Sequence, residues 1–393
     1  MTPFLSCGFR PFFLAAALWL PTSLFVWIWT LAVAVPPHFA LDPLAWHRHE
    51  TLFGGVGAIL AGFLLTAVPS WTGTSPLSGR PLLLLLLAWL AARLLGLAGG
   101  AALVPLAALA ELTFLGGVLA WVARAVIGAG NHRNRPVVAL VALFVTGAVL
   151  SWAEPVLDLP TGALGDRLGL AVILLLLALI GGRIVPAFTR NWMVRLGPRT
   201  LPAPFGPLDA ATLAVWALVL ATWVAAPLAR PVGVLFLVAG FLHAARLLRW
   251  QGHRTLAEPL VSVLHLAYAW LPLGAVLHGL ALAGLGPDPA TTLHAFTTGA
   301  IGTTTLAVMT RASLGHTGRA LTADAATVVI YALVVTGALL RLLVPLAADR
   351  TSLLALAAAA WGGAYLLFAL RYGPLLTAPR ADRPPATGAA GPA

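Results

Sequence analysis

Apolar residues run along this chain in blocks of about 20, the length a helix needs to cross the hydrocarbon of a bilayer. Such blocks fall near residues 12–35, 51–69, 81–99, 101–123, 136–153, 168–187, 208–227, 230–250, 259–284, 290–311, 324–347 and 351–373. The breaks between them are short: AGGA separates the third from the fourth, and APLAR the seventh from the eighth. None is long enough to hold a soluble domain. The pattern predicts an all-α, polytopic integral membrane protein of about twelve transmembrane helices. Residues 1–373 form one transmembrane domain, and 374–393, PLLTAPRADRPPATGAAGPA, read as a disordered cytoplasmic tail.

Composition agrees. Hydrophobic residues make up 60% of the 393 and charged residues 9%, against about 25% charged in soluble domains; the mean hydropathy is +0.95. The net charge of +11 comes entirely from arginine on the basic side. In a soluble protein that excess would point to nucleic acid, but here topology accounts for it. With the N-terminus inside, 17 of the 23 arginines fall on inner loops and helix ends, which places both termini in the cytoplasm and leaves no role for nucleic acid. Cys7 is the single cysteine, which excludes an internal disulfide, a cysteine-ligated zinc site and a cysteine-bound iron–sulfur cluster. The opening MTPFLSCGFRPFF has neither a charged n-region nor a small-residue cleavage site, so the first span is expected to stay as an anchor.

A weak repeat runs through the blocks. VPSWTG (68–73), VPAFTR (185–190) and LAVMTR (306–311) fall at the inner ends of spans 2, 6 and 10, their starts 117 and 121 residues apart. Three four-helix units would give that spacing, an arrangement that resembles heme–copper oxidase core subunits. Thr–Arg at an inner helix end is also good capping chemistry, and explains the recurrence equally well.

The polar chemistry inside the spans is mostly histidine, and intramembrane ionisable residues are functional candidates by default. WHRHE (46–50) puts His47, His49 and Glu50 at the outer start of span 2, with Trp46 as an interfacial anchor. Residues two apart do not share a helix face, so both imidazoles reach one metal only if the segment is irregular. Otherwise they are headgroup-level residues. His243 and His265 lie nearly equidistant from the turn near 254, and His278 and His294 from the turn near 286. Each pair is therefore expected at a common depth on antiparallel neighbours. Neutral imidazole is a common ligand for heme iron and copper, while a hydrogen-bonded buried histidine is the commoner outcome for any one pair. Glu111 is a lone carboxylate within span 4, a proton-relay candidate or a helix-to-helix hydrogen-bonding group. His38, His132 and His253 lie in loops. Arg183 and Arg190, in GGRIVPAFTRNW, and Arg311, His316 and Arg319, toward the end of span 10, are candidates to meet an anion or a propionate at the inner surface.

Taken together, GFRPFF (8–13), WHRHE (46–50), GFLLTAVPSWTG (62–73), GGRIVPAFTRNW (181–192), LHLAYAWLP (264–272) and LHAFTTGAIGTTTLAVMTRASLGHTGR (293–319) resemble the NnrS family. The resemblance runs in order from the N-terminus to about residue 319. It implies a heme- and copper-containing, twelve-span protein of the bacterial inner membrane, linked to denitrification and to resistance to nitric oxide. Carried over position by position, it covers His47, His49, Glu50, His265, His294, Arg311, His316 and Arg319, extends to His243, and leaves His278 as a lower-ranked metal candidate. Arg48 stands where a small residue is expected in the family motif.

Three functions follow as alternatives. The first is a heme–copper protein that binds or handles nitric oxide and protects against nitrosative stress. Its electrons would come from a membrane donor or a quinone, because the chain has no dinucleotide fingerprint and no c-type heme motif. The second is a transporter or metal-delivery protein using histidine sites, against which the chain offers only three methionines. The third, a scaffold or sensor, has little extramembrane surface to work with.

Overall fold

The computed structural model describes residues 2–32, 39, 41–159, 162–197 and 201–381. His38 and residues 382–393 lie outside this set. The described chain is all helical and folds as a polytopic membrane bundle. Its long helices are α1 (Phe9–Ala32), α2 (Pro43–Thr72), α3 (Arg80–Ala98), α4 (Val104–Gly128), α5 (Arg135–Leu157), α6 (Leu164–Arg195), α7 (Pro207–Ala225), α8 (Arg230–Leu248) and α9 (Pro259–Leu282). Then α10 joins Pro289–His294, Ala295–Ile301 and Gly302–His316, and α11 (Ala325–Leu343) and α12 (Arg350–Thr377) complete the bundle. Eleven of these twelve are long and apolar enough to span a membrane. The other, α10, has the length but carries eight threonines, and it lies between α9, α11 and α12.

Sequential helices pack against one another, and α1 closes the bundle on α12. Of the apolar spans, α2, α9 and α6 are the most buried. They and α10 form the inside of the bundle, the rest its lipid-facing wall. The three helices that carry the repeated motif meet there, since α6 touches both α2 and α10 at their widened turns. Each widened turn is one segment of π-helix, Glu50–Val56 in α2 and Ala295–Ile301 in α10, inserted directly after a histidine. A π turn carries one extra residue and redirects the side chains around it.

Capping explains where both helices begin. Asp42 Oδ1 accepts the amides of Leu44 and Ala45, both at 3.1 Å, with Pro43 in the first turn. Asp288 accepts the Thr291 amide at 3.2 Å ahead of Pro289 in the same way. An acidic N-cap followed by proline is a strong start signal. Helix α2 thus begins eight residues before the apolar block, so WHRHE is helical and not a lead-in. Helix α6 likewise continues past its apolar block, to Arg195.

The far end of the chain needs a correction too. Residue 374, the expected start of the tail, lies inside α12, which continues to Thr377. Its end is held by Arg10, whose Nη1 donates to Leu376 O at 2.8 Å and to Ala378 O at 2.7 Å, and the chain beyond is tied to the end of α10, where the Ala381 amide donates to Thr317 O at 2.9 Å.

Helices α5 and α6 cross with their backbones in contact. A Cβ on Gly147 would stand 2.9 Å from Gly165 O, and one on Gly165 would collide with the backbone of Ser151. Small residues at such spacing permit close helix approach where hydrocarbon offers no hydrophobic driving force. This crossing sets Ser151 of α5 against Asp166 of α6. Replacing Gly165 with valine is expected to force the pair apart and lower stability by about 1–3 kcal/mol, read as a fall in the thermal midpoint of the detergent-solubilised protein.

Candidate functional site

Helix geometry separates the two histidines of WHRHE. His47 stacks on Trp27, with ring centroids 4.8 Å apart and planes at 12°, and its Nδ1 is buried without a partner. His49 turns inward and is fully buried. Its Nδ1 lies 2.9 Å from Ser151 Oγ and its Nε2 3.0 Å from Glu111 Oε1. Both ring nitrogens are therefore hydrogen-bonded to protein groups.

Around His49 lies a buried ion network that no sequence motif announced. Arg93 of α3 is fully buried, with Nη1 2.5 Å from Glu50 Oε2 and Nη2 against Glu111 Oε2. Trp19 of α1 donates to Glu50 Oε2 at 3.0 Å, and Trp152 of α5 donates to Glu111 Oε1 at 3.4 Å. The guanidinium rests on the π turn of α2. A Cβ on Gly54 would run into it, and Gly54 O accepts the Trp89 indole N–H at 2.9 Å. Beyond Ser151 the network continues to the surface: Ser151 Oγ donates to Asp166 Oδ1 at 2.8 Å, and Arg48 Nε donates to Asp166 Oδ2 at 3.0 Å. The Arg48 side chain is 42% exposed.

The second group of polar side chains lies across α6, among α7 to α10, and joins four imidazoles to the buried Arg246–Asp209 ion pair and Tyr268. The direction of each hydrogen bond follows from counting protons. Thr292 Oγ1 donates to Pro289 O at 2.9 Å, so its oxygen accepts the Nδ1–H of His278, also at 2.9 Å. The lone pair of His278 then sits on Nε2, which is buried without a partner. Thr189 Oγ1 donates to Val185 O at 2.9 Å and accepts Nε2–H of His265 at 2.7 Å, leaving His265 Nδ1 as the unpartnered atom. His294 donates Nδ1–H to Ala290 O at 2.9 Å, which puts its lone pair on Nε2. One nitrogen held as a donor and the other left as a lone pair is the state of a metal-ligating histidine.

His243 is in a different state. Its Nδ1 lies 2.8 Å from the Tyr268 hydroxyl, whose oxygen also accepts Arg246 Nη1 at 2.9 Å. Its Nε2 is buried and unpartnered. Arg246 is anchored by Asp209, Nε to Oδ1 at 2.7 Å. His243 and His278 flank one aromatic cluster. Trp216 meets His243 edge-on at 5.0 Å, Phe236 meets His278 edge-on at 4.9 Å, and Phe296 contacts both Trp216 and Phe236.

The depth-matched pairs expected from the hairpins are not joined. His243 bonds Tyr268, one turn away from His265, and His278 bonds Thr292, not His294. Among the described residues no three His, Cys, Asp or Glu side chains converge on a metal position. Glu50 and Glu111 both enter the ion network. The inner-surface candidates have structural partners: Arg183 donates to Asn134 Oδ1 at 2.9 Å, Arg311 lies 4.0 Å over the Phe188 ring, His316 packs on Phe9 at 5.4 Å, and Arg319 donates to Thr317 O at 3.4 Å. Arg190 is exposed. Sequence reasoning missed Arg93, Ser151, Asp166, Asp209, Arg246 and Tyr268. Arg93, a single charge inside LAARLLGL, was open to detection by the rule that flags Glu111.

A family model described as NnrS protein matches residues 3–380. The chain belongs to the NnrS family. Membership makes it a multi-pass membrane protein connected with nitric oxide stress. No curated protein matches the chain.

The network sets up a contrast between its two arginines. Arg93→Gln leaves Glu50 and Glu111 buried without their cation and is expected to cost about 3–5 kcal/mol. Arg48→Gln, at the solvated end, is expected to cost no more than about 1 kcal/mol. Thermal unfolding of the two variants in the same detergent checks the ordering.

Proposed function

We propose that this NnrS-family protein binds heme through a buried imidazole and uses it to capture nitric oxide dissolved in the bilayer, protecting the cell during denitrification. The observation that carries the reading is His278: Nδ1 pinned by Thr292, Nε2 bare and buried, and the ring set among Phe236, Trp223 and Phe296. An aromatic surround and an unshared, buried imidazole lone pair are the chemistry an axial heme ligand needs. A bound heme supplies an iron position at which nitric oxide binds.

The chain's own groups have separate tasks. Thr292 fixes the tautomer and orientation of His278, as an outer partner does for a ligating histidine. Trp216, Phe236 and Phe296 exclude water. His294 and His265 hold further lone pairs, and His243 Nε2 is a further buried, unpartnered nitrogen. Arg341, electrostatically coupled to His294, would offer a countercharge to a propionate. Copper has weaker support, because the described imidazoles do not converge in a set of three, and no step is assigned to it.

Nitric oxide is neutral and soluble in hydrocarbon, so a site reached through lipid needs no polar channel. Turnover would draw electrons from a membrane donor or quinone. The arginine asymmetry supports a bacterial inner-membrane orientation with both termini in the cytoplasm.

The test is the optical spectrum of protein purified from heme-replete cells, oxidised and then reduced, with metal content measured on the same sample. A reduced heme band that shifts on adding nitric oxide is expected. It should disappear in His278→Ala and persist in His49→Gln. A colourless, folded, metal-free preparation would overturn the proposal.

A further inference from the structure

The ion network around His49 holds one proton more than its residue types require, and hydrogen-bond direction says where. The Ser151 hydroxyl has a single proton, and it goes to the Asp166 carboxylate that Arg48 holds in place. Ser151 Oγ can then only accept from His49 Nδ1, which must be N–H. A neutral imidazole protonated on Nδ1 presents a lone pair at Nε2. That lone pair would face the Glu111 carboxylate at 3.0 Å, lone pair against lone pair, in a fully buried site. A proton between them removes the conflict.

Charge balance reaches the same result independently. Among the described residues the groups around His49 are Glu50 and Arg48 from α2, Arg93 from α3, Glu111 from α4 and Asp166 from α6, with Trp19 from α1 and Ser151 and Trp152 from α5. Asp166 faces Arg48 and Arg167 toward the solvated end, while in the fully buried part Arg93 stands against Glu50 and Glu111, and one added proton makes that part neutral. An uncompensated charge buried in this way is strongly destabilising.

We propose that the His49–Glu111 pair is a proton-storage site, and that it exchanges with the membrane face opposite the chain ends through Ser151, Asp166 and the half-exposed Arg48. The path is continuous in hydrogen bonds: Glu111 to His49, His49 to Ser151, Ser151 to Asp166. A proton leaves in the direction these bonds already have: Glu111 gives its proton to Nε2 as Nδ1–H gives its own to the Ser151 oxygen, whose hydroxyl proton passes to Asp166, and uptake is the same step reversed. No bond other than O–H and N–H is made or broken. The other nitrogen-bearing side chains of the interior do not compete for this role, since His243, His265 and His278 lie among α7 to α10. The site requires neither heme nor nitric oxide, so its test stands apart from that of the proposed function.

The experiment uses the full-length protein as purified in detergent, labelled with nitrogen-15 at histidine and followed by magnetic resonance and by infrared spectroscopy. The wild type is expected to show either one doubly protonated imidazole or one protonated-carboxyl stretch, according to which partner holds the proton. That signal should be lost in Glu111→Gln. Absence of both signals in the wild type, or their survival in Glu111→Gln, overturns the storage site. The route is read separately, from the rate at which the same signal shifts after transfer into D2O. Ser151→Ala keeps the His49–Glu111 contact and removes the link to Asp166, so the signal should remain while its exchange slows. Unchanged exchange in Ser151→Ala overturns the path to that face. Should Glu111→Gln fail to fold, the wild-type signal and Ser151→Ala still decide both points.

Discussion

Hydrocarbon offers no hydrogen-bond partner, so each polar group carried into this bundle has to find one within the protein. Arg93 is where that constraint bears hardest. Its guanidinium is fully buried and gathers Glu50 and Glu111, and through Glu111 also His49, so one cation ties α3 to α2 and α4. The backbone around it fits this task. Gly54 leaves room for the guanidinium where any Cβ would collide, and the π turn from Glu50 to Val56 carries that glycine on the same helix as the carboxylate. The Gly147–Gly165 crossing brings Ser151 to Asp166 and extends the network to α6.

The two halves of the bundle answer the same constraint with different chemistry. In α1 to α6 the buried polar groups are ions that neutralise one another. In α7 to α10 they are mainly neutral imidazoles whose first nitrogen is satisfied by a threonine, a tyrosine or a backbone carbonyl. Threonine suits this task because its hydroxyl donates back to its own helix, as Thr189 and Thr292 do, and keeps its oxygen free to accept. That arrangement fixes the tautomer of His265 and His278 and leaves a lone pair exposed to the interior. The second half is therefore suited to ligation, and the first to holding charge and protons.

Particular residues show how much of this was legible in advance. The lone Glu111 and the WHRHE segment stood out against an apolar background, and both belong to the network. Their roles were not legible, because a two-residue offset sends His47 to Trp27 and His49 to Glu111 only once α2 is known to start at Pro43. Matched depth in a hairpin placed His243 near α9 correctly but chose the wrong partner, since helix rotation sets Tyr268 in its path instead of His265. Arg93 counted in the sequence as one charge against the topological trend, and its meaning came from α2 and α4.

The sequence by itself determined the class of the protein, its span count and its family. Those depend on apolar length, on arginine asymmetry and on ordered motifs, all of which are properties of the chain read along one dimension. Only the tertiary structure decided which polar side chains meet. A helix repeats every 3.6 residues, so small shifts in where it starts or in its rotation exchange one buried partner for another, and hydropathy is nearly blind to both. His49 with Glu111, Arg93 with Glu50, and His278 with Thr292 are pairings between different helices, fixed by caps, π turns and glycine crossings that act in three dimensions.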